Sequence, residues 1–159
     1  MKNKVRFAIL LASVVIFLGA NSSPKLLTRV EVLKLVNQDR IMRGLPKLTE
    51  NPTLTLAAYA KANDMIKANY FAHSSPAGVD PWYWLSVLGY EFTYAGENLA
   101  TGFNSASDLE NNWMASPTHR ANILSPFYQE VGLAIIYKNN TNLVVQFFGS
   151  SVNKVTLKK

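Results

Sequence analysis

The chain has 159 residues, 48% of them hydrophobic and 16% charged, which suits one domain with a real core and excludes a disordered or acid-rich polymer. Cysteine is absent, which removes disulfide scaffolds, thiolate zinc fingers, iron–sulfur centres and cysteine nucleophiles together. His73 and His119 are the only imidazoles, and a net charge of +6 is the only hint of an anionic partner.

That hint fades at the N-terminus. Lys2, Lys4 and Arg6 form a basic start before an uncharged, mostly apolar run from Phe7 to Ala20, and Asn21, Ser22 and Ser23 follow. This is the layout of a secretory signal peptide over residues 1–22, with cleavage expected after Ala20 or Ser22. The run is shorter than the roughly 18 to 20 residues of a spanning helix, although an uncleaved anchor is the alternative. Without the basic start the net charge falls to +3, so nucleic acid is not an expected partner. A secreted or cell-surface protein is expected, with no stable membrane span after cleavage. Lacking a cysteine near the cleavage region, it is not expected to be a lipid-modified lipoprotein.

One domain is expected over residues 25–150, with 151–159 a short strand or tail. Leu26 to Arg43 carries apolar residues near helical spacing and ends at Gly44. A second helix runs from Leu54 to Ala68, with Asn51 able to cap it and Pro52 suited to the first helical position. A short third helix begins at Asp80-Pro81 and stops at Gly89. Tyr90 to Phe103, punctuated by Gly96 and Gly102, reads as loop with one turn of helix. A helix over Ser107–Ala115, capped by Ser105 or Ser107, is interrupted at Ser116-Pro117, and Thr118 to Leu124 forms a further turn. Glu130–Tyr137 and Asn142–Phe148 are rich in β-branched and aromatic residues and flank a polar turn, which predicts an antiparallel hairpin. Helices first and strands last predict an α+β domain.

Three segments place polar residues of catalytic potential beside glycine, proline and aromatics. They are Tyr70 to Pro76, containing His73; Tyr94 to Ala100, containing Gly96-Glu97-Asn98; and Trp113 to Leu124 (WMASPTHRANIL), containing His119. Taken in order they resemble the CAP superfamily, also called the SCP domain: cysteine-rich secretory protein, antigen 5 and pathogenesis-related protein 1. The resemblance is closest to the bacterial, cysteine-free branch and runs from about Leu33 to Gly149. It implies an α–β–α sandwich around a central antiparallel sheet, with a shallow cleft where His73, Glu97 and His119 meet. Many eukaryotic members carry a second glutamate where this chain has Ser116; Glu130 is a possible acidic substitute.

Two neutral imidazoles can hold a borderline divalent ion such as Zn²⁺, weakly and exchangeably, with a carboxylate fixing a ring from behind. His73 and His119 are the expected metal ligands and Glu97 the orienting carboxylate. The residues also permit plainer roles. Asn98 and Asn122 would tie loops together, Arg120 would pair with Glu97 or Glu130, and Trp82, Trp84, Trp113, Tyr70 and Tyr94 would belong mainly to the core. No G-x-S-x-G, H-E-x-x-H, P-loop or G-x-G-x-x-G pattern is present. A binding module for a small apolar ligand, a lipid or a cell-surface component is therefore favoured over a hydrolase in which His73, Glu97 and His119 activate water.

Overall fold

The computed structural model describes residues 27–138 and 140–152. The expected signal peptide and all of the C-terminal tail beyond Val152 lie outside the described residues.

Short-range chemistry sets the helix boundaries. The Thr28 hydroxyl accepts from the Glu31 amide and starts α1 (Arg29–Ile41). A two-residue strand, β1 (Thr49–Glu50), leads into α2 (Pro52–Lys67). The Asn51 side chain accepts from the Thr53 and Leu54 amides at 2.8 and 3.2 Å, and Pro52 takes the position where no N–H is needed. The short α3 (Trp82–Val87) follows a long connection that carries His73. Ser105, not Ser107, caps α4 (Ala106–Ala115) by accepting from the Asp108 amide. Ser116 is extended, the conformation favoured before proline, and so separates α4 from α5 (Pro117–Ile123).

Three longer strands complete the molecule: β2 (Phe92–Thr101), β3 (Glu130–Lys138) and β4 (Thr141–Ser151). The order is β1-β3-β4-β2, antiparallel except where the brief β1 lies parallel to β3. The β3–β4 hairpin closes with Lys138 opposite Thr141, helped by Asn140 at φ 59°, a left-handed turn that asparagine tolerates.

Side chains alternate across the sheet, so consecutive residues of β4 enter different cores. Phe148 joins Val32, Val36, Leu109, Trp113 and Ile123 beneath α1, α4 and α5. Phe147 joins Leu54, Ala58, Ala62, Met65 and Leu85 beneath α2 and α3. The result is the three-layer α–β–α sandwich. On the first face Arg40 is fully buried, and its guanidinium donates to the carbonyls of Pro46, Ile123, Ser125 and Tyr128 at 2.8 to 3.3 Å. It ties the end of α1 to the chain leaving α5.

Residues 92–101 correct the expected loop: they form the ten-residue edge strand β2. Gly96 is not a turn residue. A Cβ there would lie 2.5 Å from the Tyr128 hydroxyl and 3.0 Å from Asn122 Oδ1, so its role is close approach. The alternating hydrophobic signal is missing because Gly96 to Ala100 are buried on both sides, with Glu97 and Asn98 held by polar partners. Gly102, at φ 83°, does end the strand.

Candidate functional site

The proposed site gathers at the open edge of the sheet, around β2. Along this strand Glu97 stands opposite Phe147 and Asn98 opposite Gln146, so the two neighbours serve different faces. On the α2 side, Glu97 Oε1 lies 2.5 Å from His73 Nδ1. The carboxylate is 2% exposed and the imidazole 60% exposed, so a buried acid backs an accessible ring. With Glu97 ionised, Nδ1–H donates and Nε2 is left toward the open side. Burial pushes the Glu97 carboxyl up to about 7, against the opposing pull of the His73 bond and the Lys61 and His73 charges. Its second oxygen, Oε2, is buried without a hydrogen-bond partner.

On the other face, His119 projects from α5, half-buried, with its ring 6.4 Å from that of Trp113. Burial, reinforced by the His73 charge, lowers its pKa. His119 Nδ1 is also buried without a partner. Asn98 Nδ2 donates to the His119 carbonyl at 3.3 Å and to Gln146 Oε1 at 3.2 Å. Asn122 Nδ2 donates to Asn98 Oδ1 at 2.9 Å and to the Glu97 carbonyl at 3.0 Å. Asn98 and Asn122 thus lock α5 to β2.

Among the described residues the outer rim of β2 has no neighbouring strand, yet three alternate carbonyls along it are occupied. Ala95 O accepts from the Tyr128 hydroxyl at 3.0 Å, Glu97 O from Asn122, and Leu99 O from Trp113 Nε1 at 3.4 Å. Trp113 and Asn122 therefore connect the Trp113–Leu124 segment to the Gly96-Glu97-Asn98 segment by direct bonds.

Other expected residues fall elsewhere. Glu130 does not join the group: its carboxylate accepts from Asn51 Nδ2 and the Tyr90 hydroxyl, each at 2.7 Å, at the start of α2. Those bonds draw its pKa down, outweighing its partial burial. Arg120 is exposed and forms no ion pair with Glu97 or Glu130 among the described residues; Arg40 is the fully buried arginine instead. Trp113 is wholly core, Trp82 and Trp84 are half-buried, and Tyr94 stands exposed, stacked on Phe127.

Sequence reasoning missed Lys61. It lies fully buried on α2, and its ammonium donates to the His73 carbonyl at 2.5 Å and the Tyr70 hydroxyl at 3.1 Å. The signal was there: Ala57, Ala58, Lys61, Ala62 and Met65 form one buried helical face, in which a lysine is out of place.

Comparison with known proteins bears on what this arrangement is. The cysteine-rich secretory protein (CAP) family matches residues 33–148, most of the chain and all three site segments. The chain belongs to this family. Among its relatives, YkwD of Bacillus subtilis is 34% identical over 119 residues, covering 75% of this chain and 46% of YkwD. The chain spans less than half the length of the curated relatives it matches. An extracellular Bacillus anthracis protein containing an SCP domain superposes with a TM-score of 0.70 at 26% identity, covering 77% of this chain and 40% of that one. An outer surface protein of Borrelia burgdorferi shares the fold, with a TM-score of 0.72 at 20% identity over 79% of this chain and 96% of that one. No helix among the described residues is long and apolar enough to cross a membrane.

Proposed function

We propose that this CAP domain is an extracellular binding module whose cleft takes a divalent metal ion between His73 and His119, with Glu97 as the orienting carboxylate. One observation carries the reading: a buried acid bonded at 2.5 Å to the inner nitrogen of an exposed histidine, which is the support that metal-ligating imidazoles characteristically have. The donor set fits a weakly held ion. Among the described residues no three histidine, aspartate or glutamate side chains gather to hold a metal, so an ion here would rest on His73 and His119 alone and be held weakly. Zn²⁺ suits such nitrogen donors and, when bound, supplies a Lewis-acidic anchor for an anionic or carbonyl group of a ligand. Titration with Zn²⁺ is expected to lose at least about tenfold in affinity in both His73→Ala and His119→Ala. Equal affinity in both variants and the parent rejects the site.

The apolar part of a ligand has a place nearby. A cavity of about 360 Å³ is walled by Met65, Ile66, Tyr70, Phe71, Ile136 and Leu143, and Tyr70 and Phe71 belong to the connection that carries His73. This supports a small apolar or lipid-like ligand. Native mass spectrometry of the secreted protein is expected to show a bound apolar molecule that is lost in Ile136→Trp, which narrows the cavity. Consistently empty parent protein counts against it.

A hydrolase is the second reading, favoured by the Glu97 carboxyl at about 7, a value suited to general acid–base work. Neither imidazole is bonded to a hydroxyl nucleophile among the described residues, which leaves only an activated water as attacking group. Peptidase or esterase activity abolished by Glu97→Gln would favour it over simple binding.

A further inference from the structure

A buried lysine with no direct ion pair is costly, and Lys61 is such a residue: the Glu97 and Asp64 charges favour its ammonium, but burial outweighs them. No ion pair reaches its ammonium among the described residues. Its contacts converge on one short stretch instead. Nζ donates to the backbone carbonyl of His73 itself and to the hydroxyl of Tyr70, three residues earlier, and sits 4.9 Å from the Tyr70 ring centroid. Tyr70 in turn donates to Asp64 Oδ2 at 2.6 Å, so both Asp64 and Lys61 of α2 hold the segment. Beyond these bonds the segment is loosely held: Phe71, Ala72, His73 and Ser74 are all exposed, and Asn69 turns through a positive φ of 52° to enter it. Among the described residues, the bond to Glu97 is the one hydrogen bond on the His73 side chain.

We propose that Lys61 is a positioning residue, which by holding the His73 carbonyl and Tyr70 against α2 keeps His73 Nδ1 on Glu97 and its Nε2 free for a ligand. The ammonium selects a tautomer through backbone placement. An imidazole released from Glu97 drifts toward the Nε2–H form that solvated histidines favour, and that form has no lone pair to offer from the outer nitrogen. The inference rests on the binding reading of His73 given above, but its test does not need a metal.

The experiment is ¹⁵N NMR of the imidazoles at pH 8, which reports the tautomer of each histidine, on the parent domain, Lys61→Met and Tyr70→Phe, with Zn²⁺ titration alongside. Methionine keeps the volume of the lysine stem without a buried charge, and Tyr70→Phe removes one acceptor of the ammonium without emptying the site. His73 is expected as Nδ1–H in the parent, to move substantially toward Nε2–H in Lys61→Met, and to move part of the way in Tyr70→Phe. His119 should stay unchanged, and Zn²⁺ affinity should fall about tenfold in Lys61→Met, within the range of supporting-residue losses. An unaltered His73 tautomer in folded Lys61→Met overturns the proposal, as does an unaltered tautomer in Tyr70→Phe should Lys61→Met not fold. A shifted tautomer in a protein that never binds Zn²⁺ upholds the positioning role and rejects the metal reading instead.

Discussion

Glu110 shows how one residue makes this fold sensitive to pH. It is 3% exposed on α4, and neither carboxylate oxygen meets a hydrogen-bond donor. Burial, with Asp39 of α1 facing it, pushes its pKa from 4.5 up to about 8. Asp39 is itself engaged by Arg43 at 2.7 Å, so a bond between the two acids exists only when Glu110 holds the proton. The folded state therefore binds this proton more tightly than the unfolded chain. The stabilisation is complete below about 4.5 and is lost as pH rises toward about 8, by at most about 1.4 kcal/mol per unit. Glu110→Gln is expected to gain stability over the parent at pH 8 but not at pH 4.5, as urea unfolding at both values will show. At this scale the sequence singles out His73, Glu97 and His119, because each stands in a distinctive segment, and the structure bonds the first two directly. It did not yield Lys61, Arg40 or Glu110, whose importance comes from being buried against chain far away.

At the scale of elements, two glycines set how closely layers approach. A Cβ on Gly132 of β3 would come within 2.1 Å of the Leu54 backbone at the start of α2, which has no room to move. On Gly96 of β2 it would meet the Tyr128 hydroxyl, the end of a side chain that can swing. Gly132→Ala should therefore destabilise by more than about 3 kcal/mol, and Gly96→Ala by about 1 to 3. The reverse order in thermal unfolding would show that the α2–β3 contact yields more readily than the Tyr128 side chain. Arg40 works between elements as well. Arg40→Leu leaves four carbonyls, that of Ile123 buried, short of their donor and is expected to cost about 2 to 4 kcal/mol, measurable by denaturant titration. The helices and the β3–β4 hairpin were legible because caps, proline positions and β-branched runs are local signals. β2 was not, since a strand buried on both sides that carries a glycine, a glutamate and an asparagine has no period-two pattern to read.

For the whole molecule, the layered arrangement follows from chain order, helices before hairpin, and the family segments added the sheet at its centre. What no local signal could supply is that the site spans layers. His73 comes from the connection after α2 and His119 from α5, on opposite faces of the sheet, with β2 at the rim between them. A ligand joining the two imidazoles would therefore clamp both helical layers to the strand between them. Zn²⁺ at about 100 times its dissociation constant should raise stability by about 2.7 kcal/mol in the parent and by almost nothing in His73→Ala or His119→Ala. Thermal shifts with and without the ion will check this, and equal shifts in all three proteins would place the ion elsewhere.

A strand left bare at a border ordinarily offers its backbone as a template on which a foreign strand can grow. Here a phenol, a carboxamide and an indole already occupy Ala95, Glu97 and Leu99, in place of the absent neighbour. The same aromatic and amide side chains that tie β2 to the chain from α4 onward therefore also guard against self-association. Concentrated solutions should resist fibril growth along that border, and stripping those three donors should seed it.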